Sequence, residues 1–258
     1  MTSSHPSAAD LDFPSIIATE SAALASAAEG NLDAQVQHCP AWTVADLVAH
    51  VYGVHWFWGT VAAEQRNEPP SDDERPPRPA DDVLITEFRA GARRLVETLA
   101  AADQSEQVWT WAPSQQDIAF ITRHQVQEMA VHRWDAQNAA AGAVPLDSAT
   151  AVDSIEEFLT FSVSSVSDHP DEPRPSLAGS LVLTATDIPA IWTVHDAALP
   201  GLPGTVAFER GSSSPDVPVV TGSASDLLLW LYGRRELAVT GQDGEQIVAR
   251  FRNLCFTD

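Results

Sequence analysis

The chain has 258 residues, 44% of them hydrophobic and eight of them tryptophan, which is enough apolar surface for one large or two medium domains without disulfide or metal staples. Its 36 acidic residues face 14 basic ones, all arginine, giving a formal charge of -22 that excludes phosphate backbones and anionic membrane surfaces as partners. With no lysine there is no Schiff-base chemistry by a lysine amine, and the two cysteines, Cys39 and Cys255, form neither a disulfide framework nor a cysteine-rich zinc site.

The opening "MTSSHPSAADLDFPS" has no basic or apolar leader region, and no run of about 18 apolar residues could span a bilayer, so a reducing, cytoplasmic setting is expected. From Leu11 to Glu29 apolar residues recur at helical spacing and Gly30 closes the run. A second helix is predicted from Val44 to about Gln65, with Thr43 as N-cap and Asp46 completing an acidic capping box. Residues 67–80, "NEPPSDDERPPRPA", read as a solvated connection. A third helix follows from Asp81 to about Ala102, with Leu84, Phe88, Leu95 and Leu99 on one stripe. A fourth runs from about Gln116 to Ala141 with Gly142 as its stop, and a fifth from Ser148 to about Val166.

The proline-rich segment "SDHPDEPRP" separates this helical half from a different pattern. "SLVLTATDI", "IWTVHD", "TVAFERG" and "VPVVTGS" alternate at period two and predict strands of an antiparallel sheet, followed by the helices "ASDLLLWLYGRREL" and "GEQIVARFRNL". The expected architecture is an antiparallel helix bundle over residues 1–168 and a smaller α+β domain over 176–258.

The fourth helix carries the chemistry. Glu128 and His132 are four apart and lie one above the other, as an ion pair or as two ligands of a divalent cation. His50 on the second helix could supply a third ligand, as inward-facing side chains do in bundle metal sites, or be a hydrogen-bonded core residue. A His2Glu set leaves one position open for a water or a substrate. Spacing alone does not separate these readings.

The stretches "CPAWTVADLVAHV" and "HQVQEMAVHRWDAQNAAAG" resemble the signature segments of the DinB-like, mycothiol-dependent maleylpyruvate isomerase family of actinobacteria. "VTGSASDLLLWLYGRRELAVTGQDGEQIVARF" is similar to that family's sterol-carrier-like C-terminal domain. The resemblance implies metal ligation by His50, Glu128 and His132, with zinc the metal that suits the ligand types, and mycothiol as thiol cosubstrate. It implies an enzyme that adds the thiolate to a small electrophile, as a cis-trans isomerase or an S-transferase, acting as monomer or homodimer. The acidic composition tilts the expected electrophile toward a less charged one than a diacid. A non-catalytic binding protein and a hydrolase using zinc-bound water are the rivals.

Neighbouring residues carry further expectations. His124 shares the face of Glu128 and is a candidate for substrate contact, against plain packing. Arg234, in "LYGRRE", is a candidate for binding a carboxylate of substrate or thiol cofactor, against a helix-end dipole partner. His55 is expected to pack beside Trp56 and Trp58, a pair read as bundle core against the lining of a substrate cleft, Trp42 as a staple before the second helix, and Asp135 as the salt-bridge partner of Arg133 against a group that orients a histidine.

Overall fold

The structure, a computed structural model, describes residues 11–163, 176–197, 206–211 and 216–255. Its contacts divide the chain into two compact units, Leu11–Pro145 and Leu146–Asp258. The first unit holds four helices: α1 (Phe13–Ala28), α2 (Val44–Glu64), α3 (Asp81–Ala101) and α4 (Ile118–Ala139).

Each start is fixed by local chemistry. The Asp12 carboxylate accepts from Ser15 N–H ahead of α1, and the Asp117 carboxylate accepts from Phe120 N–H ahead of α4. At α2 the expected capping box is present: Asp46 N–H donates to Thr43 Oγ1, and Thr43 N–H donates to the Asp46 carboxylate. α3 has no side-chain cap and begins on Asp81 and Asp82, whose charges complement the positive helix end. It turns Leu84, Phe88, Ala92, Leu95 and Leu99 inward, the predicted stripe with Ala92 added. After α4 the left-handed residue is Ala141 (φ 57°) rather than the predicted Gly142, whose N–H closes on Gln137 O.

α4 is the central element, packing along α1 and α2, with 15 of its 22 residues buried. Those buried positions include Thr122, Gln125, Gln127, His132, Arg133 and Asp135. Burying polar groups is costly unless they find partners; the buried charges of α4 find them, whereas neither amide atom of Gln125 has a hydrogen-bond partner among the described residues.

α2 and α4 run antiparallel, with His50 beside Glu128, His55 beside Met129 and Trp58 beside His124 and Phe120. The core expectation for His55 and Trp58 holds, both being buried. Trp56 is only half-buried.

The second unit contains α5 (Ser148–Phe158), a π-helical turn over Leu159–Val163, strands β1 (Ser180–Ala185), β2 (Ile191–Asp196), β3 (Val206–Arg210) and β4 (Val219–Gly222), then α6 (Ala224–Leu231), β5 (Val239–Thr240) and α7 (Gly244–Leu254). The division at Leu146 lies ahead of the break read from the sequence, because α5 packs on α6. The proline-rich stretch 167–175 and the last residues of the predicted fifth helix lie outside the described residues.

Strand order is β3-β2-β1-β4-β5. The predicted strands are present and most neighbours are antiparallel, but β1 and β4 pair in parallel, with Val182 opposite Val219. β5, two residues long, is too short to leave a period-two signal. α6 ends on Gly233 at φ 71°, where Gly233 N–H reaches Trp230 O and Arg234 N–H reaches Leu229 O, a closure that favours glycine.

Among the described residues no helix is long and apolar enough to cross a membrane. In the bundle core His55 is 2% exposed, stacks on Phe88 with ring centroids 5.4 Å apart, and has Nε2 3.0 Å from Met129 Sδ. Burial pushes its pKa from 6.5 down to about 4, so it stays neutral while the unfolded chain takes up a proton below 6.5. Its contribution is therefore present above pH 6.5 and is lost as pH falls toward 4, at about 3 kcal/mol for the shift. Urea unfolding at pH 7 and pH 4 should show His55→Leu losing less stability on acidification than the parent protein.

Candidate metal and thiol site

Three ligand-type atoms converge where α2 crosses α4. His50 Nε2 lies 3.1 Å from Glu128 Oε1, His132 Nε2 lies 3.3 Å from the same oxygen, and all three ligand atoms are within 4.8 Å of one another. A tetrahedral ion with bonds of 2.0–2.1 Å sets its ligand atoms about 3.3 Å apart, so both measured edges fit. The side chains of His50, Glu128 and His132 remain 30%, 21% and 11% exposed, which leaves the cluster a side open to a small molecule.

Its surroundings hold the ligands in place. His132 Nδ1 is 3.3 Å from Asp135 Oδ2, a carboxylate that is itself fully buried. With a proton on Nδ1 shared with Asp135, the Nε2 lone pair is turned toward the cluster, the arrangement that orients histidine ligands generally.

Arg133 does not pair with Asp135 as expected. It donates from Nε to Glu20 of α1 at 2.6 Å and from Nη1 to Val144 O and Gln137 Oε1. The two charges diverge because residues two apart in a helix point about 160° apart, to nearly opposite sides, which sends Arg133 to α1 and Asp135 back along its own face to His132.

Trp42 does more than precede a helix. Its ring centroid is 4.9 Å from that of His50 and 6.4 Å from that of His132, so the indole walls one side of the cluster. The turn carrying it is closed by Val36 N–H to Trp42 O and Trp42 N–H to Cys39 O. Sequence reasoning missed this role because position in the loop, not periodicity, brings Trp42 over the histidines.

His124 sits one turn before Glu128 inside an aromatic box. It stacks on Phe120 at 5.4 Å and meets Trp111 edge-on at 5.4 Å and Trp58 at 6.0 Å. Arg234 belongs to the second unit, where Nη1 donates to Tyr232 O at 2.8 Å and the guanidinium lies 5.9 Å from the Tyr232 ring centre. Cys39 and Cys255 are not disulfide-bonded and lie outside the three-residue cluster.

The family model described as the mycothiol maleylpyruvate isomerase N-terminal domain matches residues 15–137, and that of the family's C-terminal domain matches residues 149–250. The chain belongs to the mycothiol-dependent maleylpyruvate isomerase family. A crystal structure of the mycothiol-dependent maleylpyruvate isomerase is similar over 92% of this chain and 95% of that one, with a TM-score of 0.58 at 16% identity. A variant of that enzyme with one histidine replaced by alanine is similar over 90% and 94%, with a TM-score of 0.58 at 14% identity. At such identities the likeness bears on fold, and it spans both units. No curated protein matches the chain in sequence.

Charge in the cluster is strongly coupled when no cation is bound. Burial alone would raise the Glu128 pKa, but His132 and then His50 hold it well below the usual carboxylate range. Burial alone would lower the His132 pKa, but Glu128 and Asp135 together raise it to about 9. The metal-free pair therefore stabilises the fold fully from about pH 4.3 to 6.5. That contribution declines as pH rises from 6.5 through about 9, where His132 loses its proton, and on the acid side as Glu128 gains one. Melting temperatures of EDTA-treated protein should fall between pH 6.5 and 9, and His132→Ala should flatten that decline.

Proposed function

We propose that the chain is a metal-dependent enzyme of small-molecule thiol chemistry, with His50, Glu128 and His132 holding a divalent cation, zinc on ligand type, and mycothiol as cosubstrate. The observation that carries this reading is the convergence of two imidazole nitrogens and one carboxylate oxygen at separations suited to a single ion. Family membership supplies the thiol and favours cis-trans isomerisation of an electron-poor double bond, with S-transfer to an electrophile as the other outcome of the same thiolate attack. A divalent cation there, carrying two neutral imidazoles and one carboxylate, would keep one net positive charge and lower the pKa of an approaching thiol.

The chain's own residues do the rest. Asp135 fixes the tautomer of His132, and Trp42 shields one flank of His50 from water. Neither cysteine joins the cluster, so the nucleophilic sulfur comes from a cosubstrate. His124 and Arg234 are the residues we propose to contact substrate and thiol, the first from the aromatic box beside Glu128 and the second through bidentate binding of an anionic group. In this reading the enzyme works in the reducing cytoplasm, where free Cys39 and Cys255 persist as thiols.

Elemental analysis should find one zinc per chain, lost in His132→Ala, and calorimetric titration should show mycothiol binding the zinc-loaded form but not the metal-free form. Zinc without thiol binding, combined with hydrolytic activity in the absence of thiol, would replace this reading by a metal-dependent hydrolase. Zinc with neither property would make the protein a non-catalytic binding module.

A second expectation concerns the buried carboxylate. Asp135→Asn should weaken zinc binding about tenfold or more, measured by competition with a chromophoric chelator. An unchanged zinc affinity would reduce Asp135 to a packing residue.

A further inference from the structure

A cavity of about 200 Å³ lies between α2 and the connection that leads to α3, lined by Gly53, Val54, Phe57, Trp58, Asp72 and Arg75 among others. His50, Gly53, Val54 and Phe57 are spaced at i, i+3, i+4 and i+7, so the cavity wall continues the helix face that carries His50. Val54 is one turn beyond His50, a rise of about 6 Å along the axis.

The connection bearing Arg75 is pinned in place. A short 3-10 turn, Asp72–Glu74, begins where Ser71 N–H donates to the Glu74 carboxylate at 2.8 Å. Glu74 accepts from Arg66 at 2.5 Å, Arg66 also reaches Glu64 at the end of α2, and Arg66 O accepts from Trp109 N–H at 2.6 Å. Arg75 follows this knot directly.

Its guanidinium lies across Gly53. A methyl group placed on Gly53 would overlap the Arg75 Nη2 position and push the guanidinium aside. Glycine inside a helix is destabilising relative to alanine, and the close approach of Arg75 is what this one accommodates.

In the same unit Arg66, Arg78, Arg89 and Arg133 all reach carboxylates. Arg75, like the exposed Arg93 and Arg94, reaches none among the described residues, and what distinguishes it is its place across Gly53 at a cavity wall that Asp72 also lines. The exposed Arg75 guanidinium, laid across Gly53, offers its donor fork to an anion at the cavity wall, and Phe57 and Trp58 give that wall an apolar, aromatic side.

We propose that this cavity is a carboxylate subsite, in which Arg75 binds the carboxylate of an electrophile with a planar apolar body. One cation opposed by Asp72 suits a monocarboxylate rather than a diacid, in keeping with the acidic composition of the chain. That the anchored molecule reacts at the triad one turn away rests on the function proposed above; the anion subsite does not.

The test uses metal-free protein, so that a carboxylate has no cation to coordinate. Benzoate and its neutral analogue benzamide are titrated by calorimetry and by the fluorescence of Trp56 and Trp58 in the cavity lining. Benzoate should bind saturably and at least tenfold more tightly than benzamide. Arg75→Gln should weaken benzoate about tenfold or more and leave benzamide unchanged, whereas Asp72→Asn should tighten benzoate severalfold. The opposite signs separate a lost charge from a damaged fold.

Absence of benzoate saturation, equal affinity for benzoate and benzamide, or benzoate binding unchanged in both variants would overturn the subsite. Absence of zinc from the parent protein, or zinc retained in His132→Ala, with benzoate binding intact would sink the metal reading and leave the subsite standing. A failure of the metal reading is thus told apart from a failure of this one.

Discussion

Everything in the helical unit depends on one half-buried carboxylate. Glu128 projects from α4 into the interface with α2 and is acceptable there only because an imidazole from each helix meets its oxygen. That requirement sets the register of two antiparallel helices, since sliding either by one turn would strand the acid. The same logic repeats along α4, where Arg133 is matched by Glu20 and His132 by Asp135. A helix buried on most sides carries its charged groups at tolerable cost because these meet partners, although the buried Gln125 amide has none among the described residues, and the matched charges then specify one arrangement of the bundle.

From this constraint follows the chemical character of the site. Two imidazole nitrogens and a carboxylate oxygen drawn together form an ion pair when protonated and a cation cage when not. A proton on His132, whose pKa is raised to about 9, stabilises the metal-free fold and would have to leave before a cation could bind there. Asp135 behind His132 and Trp42 beside His50 restrict the ring orientations, so the lone pairs are aimed before any ligand arrives.

The helices were legible in the sequence because their signals are local. The Thr43–Asp46 box, the Asp81–Leu99 stripe and the Glu128–His132 spacing each lie within a few turns of chain, whereas His50, 78 positions before Glu128, joined them only through the family resemblance. What lay beyond reach depended on tertiary choice. The pairing of Arg133 with Glu20 spans 113 positions, and no pattern near Arg133 announces it. Trp42 and Arg75 owe their places to loops, and the parallel partnership of β1 with β4 is decided by chain crossing, not by alternation. α5 read as one more bundle helix because amphipathic periodicity says which face is buried, not against what.

The most direct test of the central claim is X-ray absorption at the zinc edge of the zinc-loaded protein. The account predicts a first shell of light atoms at about 2.0–2.1 Å with the scattering signature of two imidazoles, falling to one imidazole in His50→Ala. A shell containing sulfur from Cys39 or Cys255, or one without imidazole scattering, would contradict it and return His50, Glu128 and His132 to the role of a buried ion pair.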